Sequence, residues 1–288
     1  MNQIIATFSI AAVDPATGEA GVAVQSKFLG VGSVVPWAKA GVGAVATQAF
    51  ANPAYGPEGL YYLSQGKSAQ ETLNELIAND ESTADRQVGV VDNQGCAATY
   101  TGDRCYEWAG GITGRNYAAQ GNILVNRETV TEMGKAFEES EGTLADRLLS
   151  GLQAAQRAGG DRRGKQSAAI YVEKEKGGYG GLSNVFVDLR VDDHPDPIDE
   201  LTRIYHLHQL YFAQSKPEQI KPLEGTLKNE VSQELKRIGY LSSSDNNENE
   251  FYSALKTFLH TENFEEREQE KGLIDLEVVK YLKNMKTD

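Results

Sequence analysis

The sequence predicts an α+β protein: a four-layer αββα sandwich of two antiparallel sheets, followed by a small all-α three-helix domain. Three observations carry this. Up to residue 191 the segments run strands, helices, strands, helices, strands, so helix pairs separate the strand groups. The strand segments are rich in Ala, Gly and Val instead of strictly alternating, as in strands covered on both faces. Beyond Ser215-Lys216-Pro217, apolar residues recur at helical spacing.

Residues 7–13 are apolar and β-prone, and Asp14-Pro15-Ala16-Thr17-Gly18 is turn chemistry before a returning strand at 21–26. Two more short strands are expected at 33–37 and 41–48. Pro57 suits a helix start, and Ser68 to Glu71 is a capping box ahead of Leu73, Leu76 and Ile77. Residues 86–100 read as a hairpin turning at 92–95, and 117–120 as a short strand ending at Gly121-Asn122. One helix carries Val130, Met133 and Phe137. The next is capped by Thr143 and stops at Gly159-Gly160. A strand pair at 167–173 and 184–191 follows, and an amphipathic helix over 198–212 closes a first domain, 1–213. The second, 217–288, places Leu227, Val231 and Leu235, then Leu255, Phe258 and Leu259, then Val278, Val279 and Leu282 on three helices, with a polar loop at 242–249.

At 288 residues the chain builds its core without disulfides or metals. A net charge of −13, of which the tail from Ser215 contributes −4 (eleven basic against fifteen acidic residues), argues against nucleic acid, whose binding requires a basic surface. Cys96 and Cys105 read as two reduced cysteines. The start lacks the basic head and apolar stretch of a signal peptide, and no apolar run approaches a membrane span. The expectation is a cytoplasmic protein that uses no membrane and no cofactor.

Thr7 opens the first strand. On its residue type it is a β-branched strand former. With a free α-amine it is also a nucleophile that carries its own base, because an amine of pKa about 8 takes the hydroxyl proton. Gly121 and Asn122 end a strand, where backbone N–H groups or the Asn122 amide would hold an oxyanion or cap a helix. Asp192, Asp193, His194 and Asp196 offer oxygens to a hard cation, or alternatively cap the helix entered at Pro197. His206 and His208, two apart on a helix, point to different faces and read as packing residues.

The strings TFSIAA (7–12), GVAVQSKF (21–28), VPWAKAGVGAVATQA (35–49), NPAYGP (52–57), QGNIL (120–124), AGGDRRGKQS (158–167) and VDLRVDDHPDP (187–197) resemble the signature blocks of a bacterial and archaeal family of no settled activity. That family is placed in the N-terminal-nucleophile hydrolase superfamily. The resemblance covers residues 7 to about 212 and implies that superfamily's helix–sheet–sheet–helix fold and a catalytic Thr7. It further implies Lys27 as a charge near the nucleophile, and Asp161 and Ser167 as groups orienting the amine. Arg162 would take a substrate carboxylate, and Thr47, Gln48 and Tyr55 would line the cleft. Related chains often begin Met-Thr-Phe-Ser, whereas six residues precede Thr7 here. The amine is therefore free only after cleavage at Ala6–Thr7.

The tail, with Leu227, Val231, LKRIGY (235–240), Phe258 and GLID (272–275), resembles a peptidoglycan-binding-like domain. These readings imply an amidohydrolase acting on a small amide or peptide-like bond, with a cell-wall fragment as partner of the tail. The same helices would equally serve a substrate lid or homo-oligomer contacts. A non-catalytic ligand-binding protein and a metal-assisted hydrolase centred on Asp192, Asp193 and His194 are the alternatives.

Overall fold

The computed structural model describes residues 7–242 and 247–286; the proposed leader 1–6 and residues 243–246 of the polar loop lie outside the described residues. The chain divides into two compact units, Met1–Arg203 and Ile204–Asp288.

The first unit opens with a hairpin of β1 (Thr7–Asp14) and β2 (Glu19–Ser26). Its turn closes because Asp14 accepts from Gly18 N at 2.8 Å and its carboxylate accepts from Ala16 N, while Gly18 takes the left-handed φ of 73°. There follow β3 (Pro36–Lys39), β4 (Gly43–Ala49), α1 (Tyr55–Ser64), α2 (Ala69–Ala78), β5 (Arg86–Asp92), β6 (Ala97–Thr101), β7 (Gly110–Gly114), β8 (Tyr117–Gly121), α3 (Glu128–Glu139), α4 (Leu144–Arg157), β9 (Ser167–Glu173) and β10 (Val185–Val191). The strands form a six-stranded sheet ordered β10-β9-β2-β1-β8-β7 and a four-stranded sheet ordered β3-β4-β5-β6, with every pairing antiparallel.

Both expected caps form as reciprocal capping boxes, Ser68 with Glu71 on α2 and Thr143 with Asp146 on α4. Helices α1 and α2 lie on the four-stranded sheet, burying Tyr55, Leu63, Leu73 and Leu76 against Val45, Val88 and Val90. A Cβ on Gly56 would stand 2.1 Å from the Trp37 ring, so that contact needs glycine. Helices α3 and α4 lie on the six-stranded sheet. The other faces of the two sheets meet through small side chains, Ala11, Val13, Val22 and Val24 from one and Ala38, Ala44, Ala46 and Val91 from the other.

Two local expectations changed. Residues 31–33 form a 3₁₀ turn and the strand starts only at Pro36, with the Trp37 indole donating back to Val34 O at 3.0 Å. The strand β7 was not foreseen, because its sequence, GGITG, carries little β propensity and pairs through its partner β8.

Helix α5 (Pro197–Phe212), with proline as its first residue, contains the division between the units. The expected limits 213 and 217 lie beyond that division. Leu210 and Tyr211 pack on the second unit's core, and the buried Arg267 guanidinium donates to Leu210 O and, at 2.8 Å, to Gln209 O. Ser215, in the expected linker, bonds Asp275 through its hydroxyl.

In the second unit, α6 (Gly225–Arg237), α7 (Glu248–Thr261) and α8 (Leu276–Asn284) are the three expected helices. A small antiparallel pair, β11 (Ile220–Pro222) with β12 (Leu273–Asp275), adds strand to a domain expected to be all helix. Three-residue strands are too short for a periodic signal. Val231, Leu235, Leu255, Phe258, Phe264, Val278 and Leu282 form its core.

Candidate functional site

Successive strand residues point to opposite faces, and direct antiparallel neighbours share a face. On β1, Ser9 Oγ donates to Gln48 Oε1 on β4 at 2.5 Å, so Ser9, and Thr7 with it, face the four-stranded sheet. Ser26 pairs with Thr7, and Ser167 pairs with Ser26. On the other side of β1, Asn122 N donates to Thr7 O at 3.0 Å. Ser167, Ser26, Thr7 and Asn122 thus form one row across the end of the six-stranded sheet, all buried. Opposite lie Gln48, Gln87 and Thr101, neighbours across β4, β5 and β6.

Gln87 is the hub. Its Oε1 accepts from Gln48 Nε2 at 2.8 Å and from Asn122 Nδ2 at 2.9 Å, while its Nε2 donates to Gly121 O at 2.8 Å and Thr101 Oγ1 at 2.9 Å. Gln48 Nε2 also reaches Thr7 O at 3.3 Å, and Gln120 Nε2 donates to Ser9 Oγ at 2.7 Å. Room for the Gln120 amide comes from Gly89, where a Cβ would lie 2.1 Å from Gln120 Oε1. Two buried acceptors in this layer, Gln120 Oε1 and Asn122 Oδ1, have no hydrogen-bond partner among the described residues. A buried acceptor left without any partner costs about 1–3 kcal/mol. Two non-glycine residues with left-handed φ flank the layer, Ala49 (65°) after Gln48 and Ile123 (51°) after Asn122. For a β-branched residue such as Ile123 this conformation is strained. These unpartnered acceptors and the two left-handed residues lie at the same end of the sheets.

The remaining candidates fall around this layer. Asp161, its carboxylate fully buried, accepts from Lys27 N at 3.0 Å and from the Arg163 backbone and guanidinium. Ser167 Oγ donates to Phe28 O and accepts from Val31 N at 3.1 Å. Both therefore fix the segment that leaves β2 immediately after Ser26. The Lys27 side chain is exposed and its ammonium reaches Lys165 O at 3.4 Å. Arg162, also exposed, donates to Leu124 O.

Thr47 is buried and donates to Asn52 O at 3.3 Å. Tyr55 donates to Asp80, which also accepts from Asn52, Ser82 N and the Arg86 guanidinium. The Arg86 bond holds the Asp80 carboxyl well below the usual carboxylate range, and burial followed by the Asp80 bond raises the Tyr55 phenol. Thr47 and Tyr55 thus serve the loop after β4, and Arg86 NH1 closes it on Phe50 O at 2.6 Å.

The carboxylates at 192–196 diverge. Asp192 lies 3.5 Å from Arg190, Asp193 accepts from Gln166, Asp196 pairs with Lys165, and His194 Nδ1 accepts from Asp196 N. Among the described residues no three His, Cys, Asp or Glu side chains converge as a metal site. Both cysteines are free thiols, and burial raises that of Cys105 to about 11.

Sequence reasoning passed over Ser9, Gln87 and Gln120. Their signal was present: polar residues at inward positions of strands otherwise made of Ala, Gly and Val.

Residues 7–201 match the model of a family of unknown function, DUF1028, and residues 211–282 match one described as "Putative peptidoglycan binding domain". The crystal structure of protein SPO2555 from Silicibacter pomeroyi, described as DUF1028, is similar at 30% identity and a TM-score of 0.64; the alignment covers 78% of this chain and 92% of that one. No curated protein matches the chain. Among the described residues no helix is long and apolar enough to cross a membrane.

Proposed function

The chain belongs to the DUF1028 family, whose function is unknown, and we propose that it is an amidohydrolase of the N-terminal-nucleophile type with Thr7 as nucleophile. On this reading its two sheets and flanking helix pairs are the four-layer αββα sandwich of that superfamily. The observation that carries the reading is the position of Thr7: first residue of an inner strand, buried, and in one row with Ser26 and Asn122 opposite an amide layer.

Hydrolysis of the Ala6–Thr7 bond releases the leader as a carboxylate and leaves Thr7 with a free amine. The neutral amine takes the Oγ proton as Oγ attacks the substrate carbonyl, and the resulting oxyanion is met by a preorganised N–H donor. The Asn122 amide, fixed by Gln87, is the candidate donor. Collapse breaks the C–N bond, and the Thr7 ammonium protonates the departing amine. Water, deprotonated by the same amine, then hydrolyses the ester and restores the hydroxyl. Asp161 and Ser167 act as positioning residues by holding the chain after Ser26. Lys27 would act only through its charge, weakened by solvent, on the amine. Gln48 and Arg162 would border the substrate, while Thr47 and Tyr55 hold the loop after β4. The similarity of residues 211–282 to a peptidoglycan-binding domain makes a peptide-like bond of a cell-wall fragment the substrate class we favour.

Intact mass tests the first step: the active form lacks residues 1–6. Thr7→Ala should abolish amidase activity, by about 10³-fold or more, while shifting stability by no more than about 1 kcal/mol. Retained turnover with a large stability loss would make Thr7 structural. A second reading, a ligand-binding protein without catalysis, is favoured by the six residues before Thr7 and would be supported by a persistent full-length chain.

A further inference from the structure

The second unit contains a cavity of about 200 Å³, lined by residues of that unit alone. Its apolar wall is Leu255, Leu259 and Ile274, and Tyr252, Glu270 and Lys271 border it. Ligand pockets for whole drug-sized molecules run to about 300–1,000 Å³. This one suits the end of a ligand.

Its charges define the kind of end. Two other cations on the wall are neutralised: Arg267 is bonded to Asp275 at 2.6 Å, and Lys256 lies 3.6 Å from Glu268. Lys271 has no acid within ion-pair distance among the described residues. Its ammonium lies over the Tyr252 ring, 4.9 Å from the centroid. A ring face holds a cation without neutralising it, so the charge stays available to an anion. Glu270 likewise has no basic partner among the described residues, and its carboxylate can accept from a peptide N–H. A cation, an acceptor and a small apolar wall together match a peptide terminus with a free carboxylate and a small side chain.

We propose that this cavity binds a cell-wall stem peptide by its terminal carboxylate, with Lys271 as the anion contact and Leu255, Leu259 and Ile274 enclosing the last side chain. The proposal rests on the cell-wall reading of the second unit and adds the ligand's end and the residues that meet it. Lys271 is exposed, so replacing it leaves the core intact.

The test is calorimetric titration of the intact chain with N-acetyl-D-alanyl-D-alanine, its C-terminal amide and the L,L isomer. The D,D acid should bind saturably. The amide should bind at least about tenfold more weakly, and Lys271→Gln should impose a similar loss on the acid. Lys221→Gln, outside the cavity, should change nothing. Equal binding of acid and amide, unaltered binding by Lys271→Gln, or no binding at all overturns the proposal. Equal binding of the L,L isomer overturns the cell-wall source. Co-sedimentation with purified peptidoglycan separates the two levels. Sedimentation without dipeptide binding removes the cavity assignment alone, whereas loss of both removes the cell-wall reading too.

Discussion

The two ends of the paired sheets in the first unit are built from the same strands and differ in what they bury. At one end β1, β2, β4 and β5 meet through Ala11, Val13, Val22, Ala44 and Val91, an apolar interior of small side chains. At the other end the same strands bury Thr7, Ser9, Ser26, Gln48 and Gln87, joined by Gln120 and Asn122. Hydrophobic burial explains the first end and opposes the second, since an amide removed from water is costly unless fully bonded. Gln120 Oε1 and Asn122 Oδ1 have no partner among the described residues. A fold that needed only stability would have continued the alanines and valines to the end of the strands. The polar end is the one where the proposed nucleophile Thr7 lies.

This contrast can be broken experimentally. Gln87→Ala should have the largest effect on stability, about 3 kcal/mol, because it strands the Gln48 and Asn122 amides as well as removing its own bonds. Chemical denaturation measures it, and a loss below 1 kcal/mol would show the amide layer to be loosely made.

Asp80→Asn tests the support beside that end, the Asp80–Arg86 pair that anchors the loop after β4. It should cost about 2.5 kcal/mol at neutral pH, in the range of hydrogen bonds to charged groups. The sign of its pH dependence follows from the depressed folded-state pKa. The contribution is complete above the unfolded value of about 3.9, and it is lost as pH falls through the lower folded value. Wild type and variant should therefore converge in stability only in acid, below about pH 4. Parallel curves throughout would remove Asp80 as the cause.

At the apolar end, Val22→Ala should cost about 2 kcal/mol in transfer and cavity terms and leave any activity unchanged. The smallest effect belongs to Gln120→Met, which at similar volume removes an acceptor with no partner among the described residues together with the Nε2 bonds to Ser9, whose hydroxyl keeps its bond to Gln48. Thermal unfolding should place it within about 1 kcal/mol of wild type. If it destabilised as strongly as Gln87→Ala, both amides would be structural and the contrast between the ends would disappear.

Much of this organisation was legible beforehand. Ser68-Glu71 and Thr143-Asp146 announce their helices because a cap is local chemistry, decided within four residues. The Asp14 to Gly18 turn is readable for the same reason. The strand β7 and the pair β11 with β12 were not, because their hydrogen-bonding partners, and not their own residues, make them strands. Of the site, Thr7, Gln48 and Asn122 could be singled out, whereas Gln87 could not. A lone glutamine in a strand carries no sign that five groups from four other strands and the turn after β8 will meet it.

By itself the sequence determined the α+β class, the antiparallel strands with their small side chains, the helix caps and the helical tail, because each depends on neighbours along the chain. Only the tertiary structure decided that Thr7, Gln48, Gln87 and Asn122 share one buried layer, that Lys27 points to solvent, and that the carboxylates of 192–196 diverge. Those outcomes depend on strand order and register, which bring together distant residues such as Thr7 and Asn122, 115 positions apart, and no local pattern encodes that meeting.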